Sequence, residues 1–124
     1  MKDAADYIAH VRMLIVQDTG VVHWSVVREE AQGDWGLFRY RLYFPEGGQL
    51  EALERFEVVE GEVQVAKYSF HWQDGDGQLI QRWDNAAHHP EIKTHPDHVH
   101  VGKDNSVLPH EPVNLEKVMG YVSG

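Results

Sequence analysis

The residues of this chain best suited to chemistry are histidines, and they are concentrated in one segment. Five of the nine lie within 13 consecutive positions, namely His88, His89, His95, His98 and His100. Imidazole is the side chain that titrates nearest to neutral pH, and it also binds metal ions, so this density favours proton transfer, metal ligation or anion binding. A packed core has no need for such a run, so the segment is the first candidate for a functional site.

Cleavage of RNA through its own 2′-hydroxyl requires only two imidazoles and a cation. One ring takes the proton, the other returns it, and the cation stabilises the developing charge. This mechanism needs no cofactor. The candidate catalytic residues are His88, His89, His98, His100, Arg82 and Asp84. The candidate substrate-binding residues are Lys67, Ser69, His71 and Asn85.

The same histidines are compatible with a metal site. Zinc accepts imidazole nitrogens and carboxylate oxygens. His98 and His100 are two residues apart, so on an extended segment both rings point to one side. The alternative hypothesis is therefore a zinc-binding or protein-interaction module without catalytic activity, with His88, His98 and His100 as ligands. His89 could replace His88 as the third ligand, and Asp84 or Asp97 could supply a carboxylate. No H-E-x-x-H or related motif is present to decide between the two.

Composition narrows the class of protein. With 124 residues and no cysteine, the chain is interpreted as one domain over residues 1–124, without disulfides or thiolate metal sites, and with a histidine-rich loop segment at residues 84–103. Its net charge of −9 argues against a broad cationic surface for nucleic acid and leaves room only for a local patch. Neither a membrane-spanning apolar run nor a secretory signal is recognisable, so we predict a cytoplasmic protein that does not bind membranes.

Hydrophobic periodicity predicts the elements that carry this segment. Residues 3–16 have helical spacing with Asp3 as the N-cap, and residues 22–84 alternate mostly with a period of two, although residues 50–56 could also be helical. Residues after Asp84 look loop-like until Asn114, which caps a short helix. We predict an α+β fold, an antiparallel meander of about five strands with an N-terminal helix and a short C-terminal helix.

The hairpin around Asp74-Gly75-Asp76-Gly77 predicts which residues lie beside the histidine segment. A turn centred on Gly75-Asp76 puts the aromatic residues of both strands on the core face. The polar face then carries Lys67 opposite Asp84, and Ser69 opposite Arg82. It leads directly into the histidine segment.

The second half of the chain resembles the TumE-type toxins of toxin–antitoxin pairs, whose motifs include Y-S-Y-H, G-x-L-I-x-R-Y-D-N-A-P-H-H-P and P-H-H-K-H. The resemblance rests on the segments KYSFHWQ (67–73), DG (76–77), LI (79–80), RWDNA (82–86), HHPE (88–91) and HVHVG (98–102). It implies a small toxin neutralised by a cognate antitoxin, often a helix-turn-helix DNA-binding protein. RNA as the target follows from the histidine chemistry, not from the resemblance.

Some positions depart from the family pattern. Ala87 stands where a proline is usual, and His95 replaces an aromatic residue. Asp97 and Val99 replace a histidine and a lysine of the P-H-H-K-H string. Losing a lysine and gaining an acid is expected to make the loop less favourable for phosphate, and predicts a weakened member or one with a different target.

Overall fold

The computed structural model describes residues 1–123 and contains one antiparallel sheet and two α-helices. The elements in chain order are α1 Ala4–Gln17, β1 His23–Gln32, β2 Trp35–Tyr43, β3 Gln49–Val59, β4 Glu62–Gln73, β5 Leu79–Asp84, β6 His98–Val101, β7 Ser106–Pro109 and α2 Leu115–Ser123. A short 3₁₀ turn, Pro45–Gly47, joins β2 to β3. Residues 50–56, for which a helix was the alternative, are part of β3.

The strands form a meander in which each one pairs with its neighbours in sequence, in the order β1 to β7. This confirms the predicted α+β class and the two flanking helices. The sheet has seven strands instead of about five, because β6 and β7 form an additional hairpin after β5. Each of these strands has only four residues, which is too short for a reliable alternation signal, and prolines surround them.

Both helices begin at polar caps that were predicted. The carboxylate of Asp3 accepts a hydrogen bond from the backbone N–H of Asp6 at 3.0 Å. The side-chain oxygen of Asn114 accepts one from the N–H of Lys117 at 2.9 Å. These bonds satisfy N–H groups that have no partner within the helix. The apolar sides of both helices cover one face of the sheet, called here the helix face.

Alternation along the strands separates the helix face from the opposite face, called here the polar face. The helix face carries the buried aromatic and aliphatic core, including Phe38, Tyr40, Leu42, Leu50, Phe70, Trp83 and Val99. The polar face carries two rows of hydrogen-bonded neighbours that run across the sheet. One row is Arg39, Leu53, Ser69, Asp84 and His98, and the other is Arg41, Glu51, His71, Arg82 and His100.

The β4–β5 hairpin has the predicted faces but not the predicted register. Ser69 lies opposite Asp84, and His71 lies opposite Arg82. The expected pairs Lys67 with Asp84 and Ser69 with Arg82 are therefore wrong by two residues. The loop contributes one residue of this shift: Asp74 Oδ1 accepts from the N–H groups of Asp76 and Gln78, and Gln73 pairs with Leu79. A β-bulge between the pairs Gln73–Leu79 and Trp72–Gln81 contributes the other. A shift of two preserves the side of every residue, so Phe70 and Trp83 still face the core.

Candidate functional site

The centre of the polar face at its β5–β6 end is a buried carboxylate beside two imidazoles. Asp84 is the last residue of β5, and its neighbour across the ladder is His98 of β6. The distance from His98 Nε2 to Asp84 Oδ1 is 2.9 Å, and His100 Nε2 lies 3.7 Å from Asp84 Oδ2. The two Nε2 atoms are 3.1 Å apart. As predicted from their spacing, the two histidines of β6 point to the same side.

The tautomer of His98 follows from its backbone contact. Its Nδ1 lies 2.8 Å from the carbonyl oxygen of Pro96. A carbonyl oxygen only accepts hydrogen bonds, so Nδ1 carries a proton and donates it. In the neutral ring Nε2 then has a lone pair, and this lone pair faces the Asp84 carboxylate. Two electron-rich atoms at 2.9 Å repel each other unless a cation, either a proton or a metal ion, lies between them.

A third imidazole comes from the loop between β5 and β6. The ring of His89 lies 5.2 Å from that of His98 and 5.7 Å from that of His100, measured between centroids. One ligating nitrogen from each of the three rings lies within 4.8 Å of the others. We call His89, His98, His100 and Asp84 the histidine cluster. The neighbouring His88 is exposed and is not a member, so the loop brings in the second histidine of the pair.

Arg82 adds a positive charge to the edge of the cluster. Its Nε donates to Asp84 Oδ2 at 3.2 Å, and the arginine side chain is 44% exposed. It lies between His71 of β4 and His100 of β6 in the same row. Burial, and then the charge of Arg82, lower the pKa of His71, and burial also lowers the pKa of His100. A lowered pKa favours the neutral ring, which is the form that accepts a proton.

A cleft of about 460 Å³ lies on the polar face next to Arg82. Three cationic side chains and one carboxylate line it, so its local charge is positive although the whole chain carries −9. The charged lining residues are Arg39, Lys67, Arg82 and Glu51, and the other polar ones include Ser69 and His71. Of the predicted substrate-binding residues, Lys67, Ser69 and His71 lie in this cleft. Arg39 and Glu51 were missed, although their alternation with core residues put them on this face.

The fourth predicted substrate-binding residue, Asn85, lies elsewhere. Its amide oxygen accepts from the N–H of Tyr68 at 3.1 Å, and its NH₂ group donates to the carbonyl of Ala66 at 3.0 Å. The side chain thus pairs with the backbone of β4 as a strand residue would. Both its polar groups are used in holding the end of β5 to β4.

The two substitutions in the P-H-H-K-H string point away from the polar face. The Asp97 carboxylate accepts from the hydroxyl of Tyr68 at 2.7 Å, and Tyr68 is a core residue on the helix side. Val99 is buried opposite Trp83 in the core. Neither side chain therefore faces the cleft on the polar face, and the weaker phosphate binding expected from these substitutions stays a prediction.

The fold and the cluster together define an α+β protein with a helix-covered sheet and a histidine site on its open face. Comparison with known families gives one match, in which the family described as Toxin TumE covers residues 11–124. The chain belongs to the TumE toxin family, and a toxin of this kind has an antitoxin as its partner. No curated protein and no solved structure shows significant similarity to the chain. Within residues 1–123, no helix combines the length and apolar character needed to cross a membrane.

Proposed function

We propose that the chain is the toxin of a toxin–antitoxin system and acts on RNA by cleaving it at the polar face of the sheet. The observation that carries this proposal is the row His71, Arg82 and His100, in which a cation is flanked by an imidazole on each side. Adjacent strands are about 4.8 Å apart, so the two histidine backbones are separated by about 10 Å. This spacing leaves room for a phosphodiester above Arg82 with one ring on either side.

The reaction balances with these groups alone. One ring accepts the 2′-hydroxyl proton, and the 2′-oxygen attacks phosphorus while the P–O5′ bond breaks. The other ring, which must enter the reaction as imidazolium, donates a proton to the leaving 5′-oxygen, and the product is a 2′,3′-cyclic phosphate. The two rings then return to their starting forms by exchanging protons with water. Arg82 stabilises the charge on the non-bridging phosphate oxygens. Asp84 and His98 hold the ring of His100 in place.

The cleft supplies the affinity for RNA. Lys67 extends the positive charge of Arg82 along the face, where it can contact a further phosphate. Arg39 is held by Glu51, to whose Oε1 its Nε donates at 2.7 Å, so it would contact phosphate only by exchanging that partner. Trp83 is 1% exposed and lies on the helix face, so it provides no platform for a base. Binding is therefore expected to depend on phosphate contacts, to weaken strongly with salt and to show little sequence preference.

The test in vitro uses purified full-length protein and a short single-stranded RNA. We expect cleavage of the RNA and no cleavage of the same oligonucleotide with 2′-deoxyribose at every position. His71→Gln and Arg82→Gln should each reduce the rate by at least about a hundredfold, the range typical of lost acid–base or electrostatic assistance. The exposed His88→Gln is the matched control and should keep full activity. Equal cleavage of the deoxy substrate would rule out this mechanism.

The test in cells is growth after induction in a bacterial host, with total RNA examined at the same times. Wild-type protein is expected to arrest growth and to produce discrete RNA fragments, while Arg82→Gln does neither. Co-expression of the cognate antitoxin, which we propose to be a helix-turn-helix DNA-binding protein in the same cytoplasm, should restore growth. Growth arrest by Arg82→Gln at equal expression would contradict a role for this face.

A further inference from the structure

We infer that the histidine cluster binds one divalent transition-metal ion of the zinc type, with His89, His98 and His100 as imidazole ligands and Asp84 as a carboxylate ligand. The inference deepens the proposed function by naming a cofactor for the same site. Of the ligands left open by the sequence, the geometry favours His89 over His88 and Asp84 over Asp97.

The distances within the cluster suit a tetrahedral site. Zinc binds nitrogen and oxygen ligands at about 2.0–2.1 Å, which places neighbouring donor atoms roughly 3.3 Å apart. The two Nε2 atoms of His98 and His100 are 3.1 Å apart. His98 Nε2 lies 2.9 Å from Asp84 Oδ1, and His100 Nε2 lies 3.7 Å from Oδ2, the other oxygen of that carboxylate. One nitrogen of His89 lies within 4.8 Å of those of the other two rings. A small inward movement of the His89 loop would complete the set.

The hydrogen bond made by the other ring nitrogen of His98 also favours ligation through Nε2. Its Nδ1–H is held by the Pro96 carbonyl at 2.8 Å, an outer contact that is common for metal-binding histidines and leaves Nε2 free to ligate. The Nε2 lone pair then faces both a carboxylate oxygen and a second imidazole nitrogen. A metal ion attracts all three atoms at once, whereas one proton can be shared between only two of them.

The burial and the fixed positions of two of the proposed ligands also favour a metal site. Asp84 is 6% exposed and His98 is 2% exposed, and both belong to paired strands that fix their positions. Asp84 Oδ1 also accepts from the N–H of Ala86 at 3.0 Å, which orients the carboxylate. A largely buried site of three imidazoles and one carboxylate is a preorganised binding site for a hard-to-borderline dication. It contains no thiolate, since the chain has no cysteine.

With an ion bound, His100 would be one of its ligands, and the ion would supply Lewis-acid chemistry next to Arg82 in place of the free His100 ring. His71 and Arg82 lie outside the ligand set and keep their roles. The expected substrate preference, RNA over the deoxy oligonucleotide, is therefore the same with and without the ion, and a chelator is expected to change the rate of cleavage without abolishing it.

The test titrates Zn²⁺ and Co²⁺ into full-length protein that was purified without a histidine tag and stripped of metal by a chelator. We expect one equivalent to bind, the visible absorption of tetrahedral Co²⁺, and a midpoint of thermal unfolding that rises with Zn²⁺ concentration. His89→Ala should weaken Zn²⁺ binding at least tenfold. The neighbouring His88→Ala should leave it unchanged, and circular dichroism should show both variants folded.

Two results would overturn the metal inference. One is the lack of both a Co²⁺ spectrum and a thermal shift in folded wild-type protein. The other is an equal loss of binding in His88→Ala and His89→Ala. A parallel RNA assay separates this inference from the proposed function. RNA cleavage by protein that binds no metal would refute the metal site alone, whereas stoichiometric Zn²⁺ binding without cleavage in either form would refute only the ribonuclease proposal.

Discussion

Each face of the sheet contains one buried carboxylate, and the two have different surroundings. Glu54 is 0% exposed on the helix face and accepts from two neutral donors, the hydroxyl of Tyr7 at 2.6 Å and the N–H of Leu115 at 2.7 Å. Asp84 on the polar face lies beside an arginine and two histidines. Glu54 therefore has only neutral partners, while Asp84 has partners that carry or exchange charge.

From this difference we infer that Glu54 serves the stability of the fold and that Asp84 serves the functional site. Glu54 joins α1 and α2 to β3, and burial raises its pKa to about 7, with the two hydrogen bonds only partly offsetting that effect. Asp84 instead organises groups that can bind a cation or move protons, and it is next to an open cleft. We expect changes at Glu54 to affect stability and changes at Asp84 to affect activity.

The largest expected effect is on activity. Asp84→Asn removes the charge that holds Arg82 and His98 but keeps an oxygen for the N–H of Ala86. RNA cleavage should fall by at least about a hundredfold. Glu54→Gln is the matched change on the other face and should leave the cleavage rate of the folded protein unchanged. A comparable loss of activity in both variants would contradict the proposal that activity depends on Asp84 and not on Glu54.

Glu54→Ala should produce the largest loss of stability. The Tyr7 hydroxyl and the Leu115 N–H would each lose a partner in a buried setting, at about 1–3 kcal/mol each. We therefore expect the free energy of unfolding to fall by about 4 kcal/mol in urea denaturation. Glu57→Ala on the same strand, where the side chain is exposed, should change it by less than about 0.5 kcal/mol. Similar values for the two variants would show that Glu54 does not join the helices to the sheet.

The raised pKa of Glu54 predicts a pH dependence. The folded-state pKa of about 7 lies above the ordinary glutamate value of 4.5, so the folded state binds the proton more tightly. The stabilisation is complete below pH 4.5 and is lost as the pH rises to about 7, by on the order of 3 kcal/mol. Because glutamine does not titrate, Glu54→Gln should lack this loss. Parallel curves of unfolding free energy against pH for the two proteins would refute the assignment.

The smallest expected effect concerns the cleft. Lys67→Ala should weaken binding of single-stranded RNA by up to about tenfold and reduce the dependence of log affinity on log salt by about 0.7. Lys117→Ala removes the same charge from the N-terminal part of α2 and should change neither quantity. Fluorescence anisotropy at several salt concentrations measures both. A larger effect at Lys117 would indicate that RNA binds on the helix face and not at the cleft.

Much of the architecture could be predicted because local patterns determine it. The spacing of Ile8, Val11 and Ile15 with the cap at Asp3 was sufficient for α1. Strand alternation correctly assigned residues to the two faces, because the side of a residue depends only on its parity along the strand. Alternation also predicted that His98 and His100 point the same way. Glu54 shares its parity with Leu50 and Phe56, so its burial could have been inferred.

The sequence by itself therefore determined the family, the fold class, the face of the sheet on which each strand residue lies, and the candidate histidines. Only the tertiary structure decided which of these meet: the path of the loop after Asp84 brings in His89 and leaves His88 exposed. The loop at Asp74 and the adjacent β-bulge shift the register so that His71, Arg82 and His100 form one row. Such contacts depend on loop conformation and on pairing between distant strands, and local periodicity contains neither kind of information.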